Sequence, residues 1–230
     1  MKRSLQPELL DLLAPEDPRA EHSRRDLLKL NRLMQHPRQL TRFISQTKET
    51  SGPMRIVELG AGDGRTLLEA ATKLGRRNPA QAIQATLVDR RRLLTFEVEA
   101  AFTRLNWKVQ MAAGDVFDFL ERMTEPADVM IANLFLHHFN DEQLKTLLRL
   151  ISRQTKQFIA LEPLRTSRAL FFSRLVGLIG CNSVTRHDAR VSVEAGFCDR
   201  ELSQLWPRLG TWTLTEESSG MFTHVFTASR

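Results

Sequence analysis

The chain has 230 residues, of which 42% are hydrophobic and 26% charged, with a formal net charge of +6. That length and balance suit one sizeable globular unit, and no apolar run approaches the roughly 18 residues of a membrane span. The positive charge admits a nucleic-acid partner, but lysine and arginine are scattered apart from Arg90, Arg91 and Arg92, so a solvated basic surface is expected and nucleic acid is not.

Residues 1–50 are rich in leucine and charge and have no strand pattern. Leu27, Leu30, Leu33 and Met34 fall on one helical face, and Pro37 can start a second helix with Leu40, Phe43 and Ile44 as its apolar side. Lys48 to Pro53 breaks the pattern and reads as a linker. Residues 1–50 therefore form a helical extension, and residues 54–230 a separate α/β unit.

From Met54 strands and helices alternate. The run MRIVELG is nearly continuous in apolar residues, as expected of a buried parallel strand. Gly64 to Arg77 reads as a helix, AIQATLVD as the second strand and Arg91 to Asn106 as the second helix. KVQMAAGD, ADVMIANLFL and KQFIALEP supply three more strands, with a short helix at VFDFLERM and a longer one over Asp141 to Thr155. This alternation predicts a doubly wound sheet with helices on both faces, in which ligands sit beyond the carboxyl ends of the strands. Asp89, Asp115, Asn133 and Glu162 all fall at those ends. Beyond Pro163, residues 164–182 read as an apolar helix, 184–197 show no clean periodicity, and 199–209 read as another helix. Residues 211–229 alternate with period two around Ser219 and Gly220, which predicts an antiparallel hairpin.

The turn after the first strand reads GAGDGRT. A phosphate-binding P-loop needs a terminal GK[ST], which is missing. A dinucleotide fingerprint needs GxGxxG, whereas here Gly60, Gly62 and Gly64 are spaced GxGxG with Asp63 between them. A carboxylate at that point repels a pyrophosphate but suits a ligand that has no phosphate and carries a positive charge. Asp89 can accept both hydroxyls of a ribose, which also argues against a 2′-phosphate.

In order, VELGAGDGR, LVD, GDVFDFL and ANLFLHHF resemble the successive motifs of class I S-adenosylmethionine-dependent methyltransferases, and the resemblance covers about Met54 to Arg230. It implies a Rossmann-like sheet of seven mostly parallel strands closed by the antiparallel hairpin. It also implies S-adenosylmethionine as cofactor, S-adenosylhomocysteine as product, and a small-molecule acceptor. Carried over residue by residue, Glu58, Gly60, Gly62 and Gly64 would shape the pocket for the methionine and ribose parts, with Ala61 and Arg90 beside them. Asp89 would hold the ribose hydroxyls, and Asp115 the adenine amino group. Val116 would offer its backbone to the ring, while Asn133 and Leu134 would floor the methyl.

Methyl transfer to a hydroxyl gains from a base, and histidine is the usual candidate. His138 and His187 are the candidate bases, His137 a weaker one, and His224 is expected to pack in the sheet. No histidine has metal-triad spacing, and no metal is expected. The fourth strand lacks the two prolines that follow it in DNA amino-methyltransferases of this fold. Residues 164–192 carry the segment ALFFSRLVGLIG, which would be a lid over an apolar acceptor, a core helix, or a membrane-surface contact.

The expected activity is O-methylation of a small, rather apolar phenolic acceptor of the polyketide or quinone type. An RNA or protein methyltransferase and a non-catalytic cofactor-binding module are the alternatives, and a nicotinamide oxidoreductase is the least favoured. Cys181 and Cys198 form no disulfide framework, and the opening residues lack a signal-peptide core, so a cytoplasmic monomer or homodimer is expected.

Overall fold

A computed structural model describes residues 1–47, 52–75, 82–208 and 210–230. Seven strands form one sheet in the order β3-β2-β1-β4-β5-β7-β6. They are β1 Met54–Leu59, β2 Ile83–Asp89, β3 Trp107–Ala113, β4 Ala127–Asn133, β5 Thr155–Pro163, β6 Thr213–Ser219 and β7 Thr223–Ser229. The first five pair in parallel, while β7 runs antiparallel to both β5 and β6. The chain reverses direction along the sheet between β1 and β4, which is the switch point where such sheets leave a crevice.

Side chains alternate across this sheet, and each face buries its own core. Val57, Met130, Phe158 and Ala160 meet α6 (Val116–Arg122), α7 (Asp141–Gln154) and α10 (Glu201–Leu205) on one face. Ile56, Val129, Ile159 and Leu161 meet α3 (His36–Ser45), α4 (Arg65–Gly75) and α5 (Phe96–Thr103) on the other. The strand β4 is buried along its whole length, in keeping with its apolar stretch over residues 129–132, and it buries Asp128 and Asn133 at either end of that stretch. Helix ends follow local rules. Asp17 caps α2 (Pro18–Leu33) with Pro18 at its first position, and Asn140 and Gln143 close a reciprocal capping box on α7.

Several expectations need correction. The second helix is shorter than Arg91–Asn106, because residues 91–94 run irregularly and Thr95 provides the cap. The strand expected to run to Leu136 ends at Asn133, where Leu134 turns to a positive φ of 53°. Residues 184–197 are largely one helix, α9 (Ser183–Ala195), although their pattern is not periodic. The reason is that α9 buries Thr185 and Asp188 beside Val184 and Val191, so burial does not follow hydrophobicity. The segment 164–182 is not a core helix. It breaks into α8 (Ser167–Ser173) and a 3-10 turn over Val176–Ile179, and Phe171, Phe172, Leu175, Leu178 and Ile179 are exposed while Leu164 and Ala169 are buried. The ends of two expected helices (Arg76, Arg77 and Leu209) and most of the expected linker lie outside the described residues.

The N-terminal residues are packed onto the α/β unit. Asp26 of α2, fully buried, accepts from the Asn182 N–H, and Ser23 and Asp26 both meet the Thr185 hydroxyl. The short α1 (Leu9–Leu12) is held by Asp188, whose carboxylate accepts from the N–H groups of Leu9 and Leu10. Polar pairing therefore docks the outer helices, while the Leu27 and Leu30 side of α2 faces a cavity.

Candidate active site

One cavity of about 820 Å³ opens at the carboxyl ends of β1, β2 and β4 and continues beneath α1, α2 and α8. At its inner end lies the glycine turn. Gly60, Gly62 and Gly64 have φ of 66°, 57° and 76°, where a Cβ is strained. A Cβ on Gly60 would meet the Phe135 ring at 2.1 Å, and one on Gly64 would meet Leu87 at 2.6 Å. Over Gly62 there is open space, so a ligand can approach its backbone closely. Asp89 closes the turn: its carboxylate accepts from the Gly62 N–H at 2.9 Å and the Arg91 N–H at 3.0 Å. Each oxygen keeps capacity for a further donor.

Glu58 lies behind the turn, 2% exposed, and its Oε2 has no hydrogen-bond partner among the described residues. Burial, reinforced by the negative charges of Asp63 and Asp89, pushes its pKa up to about 8. A neutral, unsatisfied carboxyl beside two acids is the kind of site that a cationic ligand completes.

Of the residues expected to hold the cofactor, Gly60, Ala61, Gly62, Asp89, Arg90, Val116, Asn133 and Leu134 line this cavity. Glu58 and Gly64 support the turn from behind. Asp115 lies outside the cavity wall, exposed, and caps α6 by accepting from the Phe117 N–H at 2.8 Å. Asn133 is bound into a buried polar knot that sequence reading missed. His36 Nδ1 lies 2.7 Å from Asn133 Oδ1 and 2.9 Å from Asn31 Oδ1, and its Nε2 lies 2.9 Å from the Thr223 hydroxyl. Burial lowers the His36 pKa to about 4, so the ring is neutral, donates from Nδ1 and accepts from Thr223. The knot joins α2, α3, β4 and β7 at the cavity floor.

The histidines divide differently from expectation. His137 is 3% exposed and lines the cavity. Its Nδ1 donates to Glu162 Oε2 at 2.8 Å, and its Nε2 lies 3.2 Å from Glu8 Oε1. Glu162, fully buried at the end of β5, also accepts from the N–H groups of Phe135, Leu136 and His137. Glu8 further accepts from the Ser192 hydroxyl. Burial opposes charge on His137, but the two carboxylates outweigh it and raise its pKa to about 9. On Glu8, burial is again overcome, here by His137, and its pKa falls to about 2. The pair is therefore an imidazolium between two carboxylates near neutral pH.

His138 also lines the cavity, stacked on His137 with ring centroids 4.4 Å apart. Burial and the His137 charge hold its pKa below the ordinary value, so it is neutral. Glu8, His137 and His138 bring three possible metal-ligand atoms within 4.8 Å of one another, a cluster that the sequence spacing did not suggest. His187 does not reach the cavity: it bonds Asp188 at 3.0 Å and faces a separate cleft with Arg174, Arg186 and Arg190. The reason is the helical register of α9, which turns Asp188, Ala189 and Ser192 inward and His187 away. His224 is buried in the sheet as expected, 2.8 Å from Glu216.

Residues 56–157 match the family model described as a methyltransferase domain. Comparison with curated protein sequences found no relative. Among solved structures, the chain is similar to a protein of Nostoc punctiforme assigned as an O-methyltransferase, at 14% identity and a TM-score of 0.60, covering 100% of this chain and 64% of that one. It is similar to the pyocyanin biosynthetic protein PhzM at 16% identity and a TM-score of 0.57, covering 94% and 59%. The plantazolicin methyltransferase BamL, solved with a triazolic analogue and S-adenosylhomocysteine, gives 14% and 0.58, covering 89% and 74%. At these identities the structures speak for the fold alone. The chain spans about three fifths of the length of the first two of these relatives.

Proposed function

We propose that this chain is a class I, S-adenosylmethionine-dependent methyltransferase that methylates a hydroxyl of a small, rather apolar phenolic acceptor; the match of residues 56–157 to a methyltransferase-domain model and the strand order of the sheet support the class. The observation that supports the reading is one continuous cavity that joins the glycine turn to an apolar chamber with an ionisable histidine in its wall. Toward the turn the cavity offers Asp89 for the ribose hydroxyls, Val116 for the ring and the open face of Gly62 for the backbone approach. Asp115, freed from capping α6 or using its second oxygen, is the residue proposed to meet the adenine amino group. Away from the turn, Leu27, Leu30, Met34, Phe172 and Val176 line the chamber, which suits an aromatic acceptor better than a nucleic acid or a peptide.

The cofactor supplies a methyl group already activated on a sulfonium, so this chain's residues mainly position the acceptor and accept its proton. His137 has the geometry of a base: Glu162 fixes its Nδ1–H tautomer, and Nε2 faces the chamber. The Glu8 carboxylate, 3.2 Å from Nε2, occupies the position an acceptor hydroxyl would take. In this reading Glu8 moves aside, the His137 pKa falls, and Nε2 receives the phenolic proton. His138 supports a second reading, because it is the neutral imidazole in the same wall.

The test is transfer of labelled methyl from S-adenosylmethionine to a panel of phenolic metabolites. On the proposed reading, His137→Gln lowers kcat by about 10² or more while S-adenosylhomocysteine affinity holds. Loss confined to His138→Gln would move the base one residue along, and transfer only to RNA or protein would reject the acceptor class.

A further inference from the structure

The segment Phe171–Ile179 exposes large apolar side chains over a short stretch. Phe171 is 59% exposed, Leu178 83% and Ile179 50%, with Phe172 and Leu175 partly exposed beside them. Single exposed leucines are ordinary, but a contiguous group marks a surface that meets something apolar. The 3-10 turn over Val176–Ile179 ends at Gly180 with φ 81°, so the turn projects as a knuckle. Phe172, Leu175, Val176 and Ile179 also line the cavity, so one segment forms both the exposed patch and the chamber wall. Phe172 packs edge-on against Phe222, which brings the β6-β7 loop and the half-exposed Met221 to the same side.

The charges carried by this segment have one sign. From Leu164 to His187 the chain contains no aspartate or glutamate. Arg168, Arg174 and Arg186 are exposed and make no ion pair among the described residues. Arg174, Arg186 and Arg190 line a shallow cleft of about 440 Å³ with Ser183 and His187, next to the first turn of the thirteen-residue α9. Of these cations only Arg190 is committed, to Glu194. The cleft is therefore a cationic seat beside an apolar knuckle.

We propose that the knuckle of Phe171, Leu178 and Ile179, bordered by Arg174 and Arg186, docks this chain on an anionic phospholipid surface, with the acceptor chamber opening toward the lipid. The apolar side chains would enter the headgroup–acyl boundary and the arginines would meet lipid phosphates. Among the described residues no helix is long and apolar enough to cross a membrane, so the contact is interfacial. A second copy is the less suitable occupant. A two-fold contact through this patch would set arginine against arginine with no acid to separate them. An acidic peptide would match the arginines but leave the knuckle uncovered. The docking itself follows from surface chemistry; only its link to acceptor entry rests on the proposed acceptor class.

The experiment is co-sedimentation with vesicles of phosphatidylglycerol-rich and of pure phosphatidylcholine composition, at low and high salt. The wild-type chain should bind the anionic vesicles, weakly or not at all the neutral ones, and lose binding as salt rises. Leu178→Glu should abolish vesicle binding, and the double variant Arg174→Gln/Arg186→Gln should weaken it roughly twenty-fold. Both variants should keep the wild-type melting temperature and S-adenosylhomocysteine affinity, since none of these side chains lines the cavity. No preference for anionic vesicles would overturn the proposal. So would light scattering that shows a dimer in the wild type, dissolved by Leu178→Glu, without vesicle binding. The S-adenosylhomocysteine titration on the same samples separates failure of docking from failure of the methyltransferase reading.

Discussion

At Gly60 two constraints coincide, a φ of 66° and a Phe135 ring that would lie 2.1 Å from any Cβ. Gly60→Ala should therefore cost on the order of 2 kcal/mol in chemical denaturation and also damage ligand binding, because Phe135 must move. Gly62→Ala should cost less, since only φ opposes it, yet should block ligand approach; equal stability losses would contradict this account of the turn. Glu58 makes a prediction with a defined sign. Its folded pKa of about 8 lies above the unfolded value near 4.5, so the stability held by the neutral carboxyl is intact below pH 4.5 and is lost as pH rises through about 8. Glu58→Gln should thus gain stability relative to wild type as pH rises from 5 toward 8, by about 1.4 kcal/mol per pH unit in urea unfolding, and level off above that. A difference that does not change with pH would mean that the carboxyl is already ionised.

Among the elements, the N-terminal segment and α9 shape the apolar end of the cavity. Asp188 holds the start of α1, the Ser4 N–H donates to the Glu194 carbonyl, and Glu8 reaches His137. The Glu8 contribution is present above pH 4.5 and lost as pH falls toward 2; the His137 contribution is present below 6.5 and lost as pH rises through about 9. The latch is thus strongest between about pH 4.5 and 6.5. Amide-exchange protection of Leu9 and Leu10 should fall above pH 9 faster than protection of β4. Removing one carboxylate with Glu8→Gln should move the acidic limb of the kcat/KM–pH profile, which reports the free enzyme, down by about one unit. A limb that stays in place would show that His137 is not the group titrating in the free enzyme.

These elements also show what can be read from one sequence. The central parallel strands β1, β4 and β5 were legible because burial on both faces turns much of each into an apolar run, and Gly60, Gly62 and Asp89 were legible because their spacing answers a local backbone need. His36 and Glu8 were not. Beside the nearby Asn31, the partners of His36 lie 97 and 187 residues away, and the His137 contact of Glu8 spans 129 residues, so the sequence around each residue does not announce its role. His187 misled for the opposite reason. It lies in the right segment, but helical register turns it outward, and register was hidden by the buried polar residues of α9.

At the scale of the whole molecule, the sheet's switch point, the docked N-terminal helices and the 171–179 knuckle enclose one cavity with a polar and an apolar end. The proposed function requires that cavity to hold S-adenosylmethionine at the glycine turn. The deciding measurement is calorimetric titration of the full chain with S-adenosylhomocysteine, with Asp89→Ala as the paired variant and two buffers of different ionisation enthalpy. Micromolar binding, weakened at least ten-fold by the substitution and accompanied by release of a Glu58 proton near pH 7, is the predicted result. A folded wild-type chain that binds no S-adenosylhomocysteine, or one whose affinity ignores Asp89, would contradict it.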